Sequence, residues 1–230
     1  MPEINLPPWQ RGVRSFVIRE GRLTDAQARA LELWLPDYGV PAGGHVNPTD
    51  IFGRIAPCHL EIGCGNGEAI LAMAQAHPEN NYLGIEVHRP GVGSLLLRAH
   101  ALGLNNLRIV VADAAEAVAT MLPVRAFECI YVFFPDPWPK KRHHKRRLLN
   151  PPFLALLAAR LQANGCLFVA TDWEDYARHI LEAAAATPAL TNLAGPAGRS
   201  PRPRRRPVTR YERRALRLGH PIYDFTFANA

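Results

Sequence analysis

The sequence has few cysteines, no long hydrophobic run and no excess of acidic residues, and each shortage excludes a class of protein. Its 230 residues include four cysteines, none in a C-x-x-C pair. We therefore expect free, mostly buried thiols in a reducing compartment, with neither a disulfide framework nor a metal site. No run approaches the roughly 18 apolar residues of a membrane span, and the N-terminus has no apolar signal core. These absences predict a cytoplasmic protein with no membrane association.

The residues that are abundant favour a folded protein with a polyanionic partner. Hydrophobic residues make up 48% of the chain, which excludes disorder throughout. Lys and Arg number 27 against 20 Asp and Glu, a net charge of +7. The length suits one or at most two domains, and there is no internal repeat. We predict a flexible N-terminal arm over residues 1–14 and one domain over 15–230, with a basic loop over 199–207.

Strand-like and helix-like patterns alternate through most of the chain. A helix is expected from Thr24, in a capping box with Gln27, to Pro36. After a Gly- and Pro-rich connector, apolar runs predict strands at 59–62, 81–87, 107–112, 127–134 and 166–170. Helical patterns follow at 68–76, 93–102, 114–121, 152–161 and 173–186, and a late strand at 220–228. This order predicts an α/β fold, with a mostly parallel central sheet covered by helices on both faces.

A glycine loop follows the first of these strands. Gly63, Gly65 and Gly67 form G-x-G-x-G, with Glu61 two residues ahead. The dinucleotide fingerprint is G-x-G-x-x-G and cradles a pyrophosphate. A shorter loop preceded by an acid suits a ligand that lacks phosphates and carries an ammonium group, such as S-adenosylmethionine. The alternative is a glycine turn that serves packing alone.

Two more acids end the next two strands. Glu86 lies about twenty residues past the glycines, where an acid accepts hydrogen bonds from ribose hydroxyls. Asp113 ends the following strand, where a carboxylate can accept from the exocyclic amine of adenine. Either acid alone could be a helix cap or a surface residue. Three acids at consecutive strand ends favour one ligand site at the carboxyl edge of the sheet.

The segment after the fourth strand is the most informative. It places Asp136 between Pro135 and Pro137, at the expected substrate position. Residues 140–147 follow, and six of these eight are Lys or Arg while the other two are His. Next to an acid in a proline-stiffened loop, this basic run favours contact with nucleic acid over a merely solvated face.

These motifs together resemble the bacterial tRNA (guanine-N7-)-methyltransferase family. The resemblance spans residues 14–227, and its specific parts are Asp136-Pro137-Trp138-Pro139-Lys140 with its basic tail, Thr171-Asp172, and Arg206-Pro207-Val208-Thr209-Arg210-Tyr211-Glu212. It implies a Rossmann-like class I methyltransferase that transfers a methyl group from S-adenosylmethionine to N7 of a guanine in tRNA. The family's target lies in the variable loop of tRNA. A metal is not implied, and neither is an obligate protein partner; the chain would be a monomer or a homodimer.

The resemblance also implies residue roles. The cofactor would be held by the acids and glycines of the sheet edge, namely Glu61, Gly63, Gly65, Gly67, Glu86, Asp113 and Asp136. Asp136 would also be the catalytic residue. The guanine or its tRNA would be met by Lys140, Arg142, Lys145, Arg146, Arg147, Asp172, Thr209 and Glu212. Residues 199–206 hold more arginine than the family leads one to expect, and we interpret them as a flexible loop that orders on RNA.

Several of these residues have structural alternatives. Asp172 could cap the helix expected from Trp173, and Thr209 with Glu212 fits a capping box. Trp138 could stack on a base, although packing inside the protein is the commoner role. Two other functions also stay open: methylation of an exocyclic base amine, and a non-catalytic RNA-binding protein that retains the fold.

Overall fold

A computed structural model describes residues 14–16, 22–41 and 43–229 of the chain. The expected N-terminal arm, residues 1–14, lies outside the described residues except for Arg14. No helix within the described part is long and apolar enough to cross a membrane. The four cysteines are free, and three of them are buried, as expected.

Eight helices, eight strands and one 3-10 segment follow one another along the described chain. The helices are α1 (Asp25–Tyr38), α2 (Pro48–Phe52), α3 (Glu68–Ala76), α4 (Arg89–Ala101), α5 (Ala114–Thr120), α6 (Pro151–Arg160), α7 (Glu174–Ala185) and α8 (Arg210–Arg217). The strands are β1 (Gly39–Val40), β2 (Cys58–Ile62), β3 (Asn81–Ile85), β4 (Leu107–Val110), β5 (Phe127–Phe133), β6 (Leu161–Thr171), β7 (Leu190–Asn192) and β8 (Tyr223–Asn229). The 3-10 segment is Lys141–Arg146.

All eight strands form one sheet in the order β1-β4-β3-β2-β5-β6-β8-β7. The first six are parallel neighbours, and β8 pairs antiparallel with both β6 and β7. Every residue of β2 and β3 is buried, because apolar cores cover both faces of the sheet. One core includes α3 and α4, and the other includes α6 and α7. The predicted fold class and the late antiparallel strand are confirmed.

The expected element boundaries hold within a few residues, with some corrections. The capping box of Thr24 and Gln27 is present, but α1 continues through Pro36 to Tyr38. A proline near the C-terminal end of a helix removes only one hydrogen bond, and the N–H of Gly39 still reaches the carbonyl of Leu35. α4 begins four residues before the expected start, with a proline in its first turn. β6 is longer than expected, and β7 and α8 were not among the expected elements. β1 and α2 lie in the stretch that was expected to be a connector.

The expectation of a flexible loop over 199–206 is wrong in this structure. The N–H of Ser200 donates to the carbonyl of Asp224 at 2.8 Å, and the Ser200 hydroxyl accepts from the N–H of Thr226 at 2.8 Å. Arg206 is 2% exposed and forms ion pairs with Glu212 and Asp224. Long-range pairing with β8 and α8 therefore fixes a segment whose composition suggested disorder.

Candidate active site

The glycine loop connects β2 to α3 at the carboxyl edge of the sheet. Gly63, Gly65 and Gly67 have φ angles of 71°, 57° and 82°, a region that favours glycine. The N–H groups of Gly63 and Cys64 donate to the carbonyl of Ile85, and that of Gly67 donates to the carbonyl of Cys64. The N–H of Gly65 donates to a Glu86 carboxylate oxygen at 2.7 Å. Four backbone N–H groups of the loop are thus used within the protein and are not available to a phosphate group.

Glu61 lies within β2 and is the most buried acid of the site. It is 4% exposed; its carboxylate accepts a hydrogen bond from the N–H of Ile70, and its Oε2 has no partner among the described residues. Burial, and then the nearby Glu86, raise its pKa to about 8. A buried carboxylate oxygen without a partner is costly unless a donor or a cation reaches it. This unpartnered carboxylate oxygen is suited to accept a hydrogen bond from the ammonium group of S-adenosylmethionine.

Glu86 and Asp113 follow β3 and β4 at the same edge, and both carboxylates already accept backbone hydrogen bonds. Glu86 accepts from the N–H groups of Val87 and His88, each at 2.8 Å, as well as from Gly65. Asp113 caps α5 by accepting from the N–H of Ala115 at 2.8 Å. The capping alternative for Asp113 is therefore realised, while its neighbours Ala112 and Ala114 line the adjoining cavity.

A cavity of about 200 Å³ opens at this edge, and a smaller one adjoins it. The larger cavity is lined by Gly63, Gly65 and Glu86 on one side and by Asp136 on the other. The smaller cavity is lined by Glu61, Glu68 and Thr209. The cavities share four lining residues, Gly63, Phe133, Phe134 and Tyr211. Three of the four acids expected at the ligand site, Glu61, Glu86 and Asp136, therefore line these cavities, whereas Asp113 does not. No group of three or more His, Cys, Asp or Glu residues in the described chain could hold a metal.

The loop after β5 presents Asp136 to the cavity from a constrained backbone. Phe134 and Trp138 have φ angles of 53° and 48°, which non-glycine residues seldom adopt. The indole of Trp138 donates to the carbonyl of Ser15 at 3.1 Å and lies 4.7 Å from the guanidinium carbon of Arg146. Trp138 is therefore partly buried and packs against Ser15 and Arg146, the commoner of its two expected roles.

The basic run divides into exposed and buried side chains. Lys140, Arg142 and Lys145 are exposed and Arg146 is half-buried. Arg147, which the resemblance placed at the RNA, is only 3% exposed. Its guanidinium pairs with Asp175 of α7, donates to the carbonyl of Pro137 at 3.0 Å and lies 5.1 Å from the Tyr176 ring centre. Arg147 thus fixes the run to α7, and its side chain does not reach solvent.

Two predicted substrate residues near the C-terminus are also buried. Thr209 caps α8 by accepting from the N–H of Glu212 at 3.4 Å, so the capping alternative is present. The Glu212 carboxylate does not return to Thr209 as a full capping box requires. It pairs with Arg206 at 2.6 Å and with Arg202 at 3.1 Å.

Asp172 does not cap α7, which was the structural alternative expected for it. The N-cap residue of α7 is Trp173, and no described side chain caps the helix with a hydrogen bond. The interpretation of Asp172 as the cap is therefore wrong. The hydroxyl of Thr171 accepts from the N–H of Trp173 instead, at 3.3 Å. Asp172 lies 3.9 Å from the His220 imidazole and is only partly buried.

Sequence reasoning missed some residues that line the cavities. Tyr211 is 46% exposed, borders both cavities and packs its ring 6.4 Å from that of Phe134. Ser15 and Phe16 line the larger cavity from the N-terminal side. Tyr211 falls inside a motif quoted for the resemblance, and Ser15 and Phe16 lie at the start of the span that the resemblance covers, but no residue-level argument singled them out.

Solved structures with this fold include RNA methyltransferases. The 16S rRNA (adenine(1408)-N(1))-methyltransferase from Catenulisporales acidiphilia superimposes with a TM-score of 0.54 at 15% identity, covering 83% of this chain and 96% of that one. An aminoglycoside resistance methyltransferase superimposes with a TM-score of 0.51 at 16% identity, covering 81% and 95%. The fold is that of the class I S-adenosylmethionine-dependent methyltransferases.

Sequence comparisons narrow that class to one family. A family model described as "Putative methyltransferase" matches residues 55–225. The tRNA (guanine-N(7)-)-methyltransferase of Nitrosospira multiformis is 50% identical over 94% of both chains. The protein of the same name from Alkalilimnicola ehrlichii is 52% identical, over 95% of this chain and 93% of its own. The chain belongs to the tRNA (guanine-N(7)-)-methyltransferase family.

Proposed function

We propose that this protein transfers the methyl group of S-adenosylmethionine to N7 of a guanine in tRNA, releasing S-adenosylhomocysteine. The observation that carries the proposal is the pair of adjoining cavities, with the unpartnered Glu61 oxygen at one end and Asp136 at the other. The names of the family relatives at about half identity supply the substrate and the methylated atom.

The residues divide into two groups by the ligand that each would meet, S-adenosylmethionine or tRNA. When bound, S-adenosylmethionine supplies an electrophilic methyl group on a sulfonium. Glu61 would meet the ammonium group, Glu86 the ribose hydroxyls and Asp113 the adenine amine. Gly63, Gly65 and Gly67 let the ligand approach the backbone closely. Lys140, Arg142, Lys145, Arg146 and Asp172 would meet the tRNA.

The reaction requires alignment and charge stabilisation but no general base. Guanine N7 carries an in-plane lone pair and no proton, so it can attack the methyl carbon directly, provided that nucleophile, carbon and sulfur are in line. Positive charge then passes from the sulfur to the purine. Asp136 would stabilise that charge and could accept from guanine N1–H and N2–H₂, a pattern that adenine does not present.

Transfer of labelled methyl groups to unmodified tRNA, followed by nucleoside analysis, tests the proposal. We expect the label in 7-methylguanosine alone. Label in an exocyclic amine would identify the alternative base methyltransferase. Absence of S-adenosylmethionine binding in calorimetry would identify a non-catalytic RNA-binding protein.

The proposed role of Asp136 gives a sharper test. Asp136→Ala should lower kcat by about 100-fold or more, since a preorganised group facing developing charge is lost. Asp37→Ala removes an exposed carboxylate on α1, far from the cavity, and should leave kcat unchanged. Equal kcat values for the two variants would remove Asp136 from the catalytic role.

A further inference from the structure

We propose that α8 forms a second tRNA-contact surface, across the cavity mouth from the exposed part of the basic run, residues 140–146. The ligand is a polyanionic RNA backbone, and the choice of tRNA rests on the proposed function. This surface, called the α8 surface below, is defined by two exposed arginines of the helix, Arg214 and Arg217.

The backbone beneath the α8 surface is held in place by a buried cation. The Arg206 side chain is buried and lies between two carboxylates, with its Nε 2.8 Å from Asp224 and its Nη1 2.6 Å from Glu212. Its guanidinium carbon lies within 6 Å of the ring centres of Phe133 and Phe134, which border the cavities. The segment 199–206, which leads into α8, is therefore tied to both β8 and the cavity wall.

A second anchor lies at the start of the segment. The Arg199 guanidinium carbon is 4.1 Å from the ring centre of Tyr223, and Ser200 makes two hydrogen bonds to the backbone of β8. Between the two anchors, Pro201 and Pro203 restrict the chain further. The backbone that leads into α8 is therefore preorganised, which lowers the entropy lost on binding.

The positive charge of the α8 surface is not neutralised by nearby acids. The one acid in α8, Glu212, is buried and satisfied by Arg206 and Arg202. No ion pair to Arg214 or Arg217 is formed within the described part of the chain. Solvated, unpaired arginines on one side of the cavity suit phosphate groups, since their counterions are released on binding.

The α8 surface and the basic run lie on opposite sides of the same cavity. Tyr211 of α8 and Asp136, which precedes the basic run, both line it. α8 is joined to α3 through Arg213 and Glu68 at 3.2 Å, whereas the basic run is joined to α7 through Arg147 and Asp175. α3 and α7 pack on opposite faces of the sheet. An RNA that presents a base to the cavity would pass between the two surfaces and contact both.

Direct binding of unmodified tRNA to the full chain, measured by fluorescence anisotropy at several salt concentrations, tests the α8 surface. The double variant Arg214→Gln with Arg217→Gln should weaken binding on the order of tenfold near physiological salt and reduce the slope of log K against log[salt] by about two. The control is Arg29→Gln with Arg125→Gln, which removes the same charge from exposed positions on α1 and before β5. It should leave the slope unchanged.

The outcomes separate this proposal from the proposed function, because binding and methyl transfer are measured independently. A double variant with wild-type affinity and slope, or a control pair that lowers both equally, would overturn the α8 surface even if wild type methylates tRNA. Tight tRNA binding that depends on Arg214 and Arg217, without methyl transfer by wild type, would support the α8 surface and overturn the activity. Failure of wild type to bind tRNA would overturn both.

Discussion

Single residues at the carboxyl edge of the sheet differ in how much of their hydrogen-bonding capacity the protein itself uses. Glu86 accepts three backbone N–H groups and Asp113 caps a helix. Glu61 is more deeply buried and keeps one carboxylate oxygen unpartnered. Its raised pKa expresses that burial, since desolvation disfavours the charged form. Of the three acids, Glu61 is the one whose protonation a bound cation should change most.

Binding of S-adenosylmethionine should therefore release protons from Glu61. At about pH 6.5 an amino group of ordinary pKa remains protonated, while Glu61, with a pKa of about 8, is mostly neutral without ligand. A cation beside it favours the carboxylate, so up to about one proton should leave per ligand bound. Calorimetry in two buffers of different ionisation enthalpy measures this number.

The matched variants for this measurement are Glu61→Gln and Glu79→Gln. Glu61→Gln should abolish the proton release and weaken binding by about 2 kcal/mol or more, because the cation loses its buried partner. Glu79 is an exposed acid after α3, at the other end of the sheet, and its substitution should change neither quantity. Undiminished proton release from Glu61→Gln would place the ammonium elsewhere.

At the scale of elements, the 3-10 segment and α8 are held to the rest of the fold in the same way. In each, one buried arginine fixes the element to the core and leaves its neighbours exposed. Arg147 joins the 3-10 segment to α7, and Arg206 joins the segment before α8 to β8. α8 escaped prediction because only three of its eight residues are apolar (Tyr211, Ala215 and Leu216), although Thr209 and Glu212 offered a capping pattern. Its position depends on contacts with Glu68, which is distant in sequence, and with Arg206.

Adjacent arginines of the basic run should therefore give opposite phenotypes. Arg147→Ala should lower the free energy of unfolding by about 2–3 kcal/mol, because the substitution empties a packed site and breaks an ion pair. It should leave the slope of the tRNA salt dependence unchanged. Arg146→Ala should reduce that slope by about one and cost at most about 1 kcal/mol, the value of its contact with Trp138.

Urea denaturation and tRNA titration of both variants measure these quantities. The Arg147→Ala variant must first be shown by circular dichroism to be folded. A lower slope of its tRNA salt dependence would then mean that Arg147 contacts RNA. A large loss of stability in Arg146→Ala would show that the basic run is held differently from the structure described above.

At the scale of the whole molecule, charge is strongly segregated. Residues 140–147 carry +6 and residues 199–217 carry +8, so the remainder of the chain carries −7 out of a total of +7. The first basic part follows the cavity residue Asp136 within a few residues, the second contains the cavity residues Thr209 and Tyr211, and the buried Glu61 lines the same pair of cavities. Such a distribution attracts RNA to the cavity mouth and presents carboxylates to a cationic cofactor inside.

The stability of the whole ligand-free protein should depend on pH through Glu61. Its pKa is raised on folding, so its stabilising contribution is complete below the unfolded value of about 4.5 and is lost as pH rises through about 8. The melting temperature of wild type minus that of Glu61→Gln should therefore decrease as the pH rises from 5 to 9. This decrease corresponds to a loss of stability on the order of a few kcal/mol.

The comparison with Glu61→Gln isolates this group. His59 also titrates differently in the folded protein, since burial lowers its pKa to about 4, but it does so in both variants. Excess S-adenosylmethionine should abolish this decrease in the melting-temperature difference, because the ionised carboxylate then has a partner. A difference that does not change with pH would mean that Glu61 stays ionised in the ligand-free fold.

The sequence by itself determined the alternation of strands and helices, the order of the acids along the sheet edge and the family. Apolar periodicity and glycine spacing are local signals, and β2 and α3 appear at or within one residue of their predicted bounds. Only the tertiary structure decided which charged side chains face solvent. Arg205 and Arg206 are identical neighbours in the sequence, as are Arg146 and Arg147. The carboxylates of Asp224 and Glu212 bury Arg206, and Asp175 holds the buried Arg147, because folding brings these acids from distant segments to the second arginine of each pair.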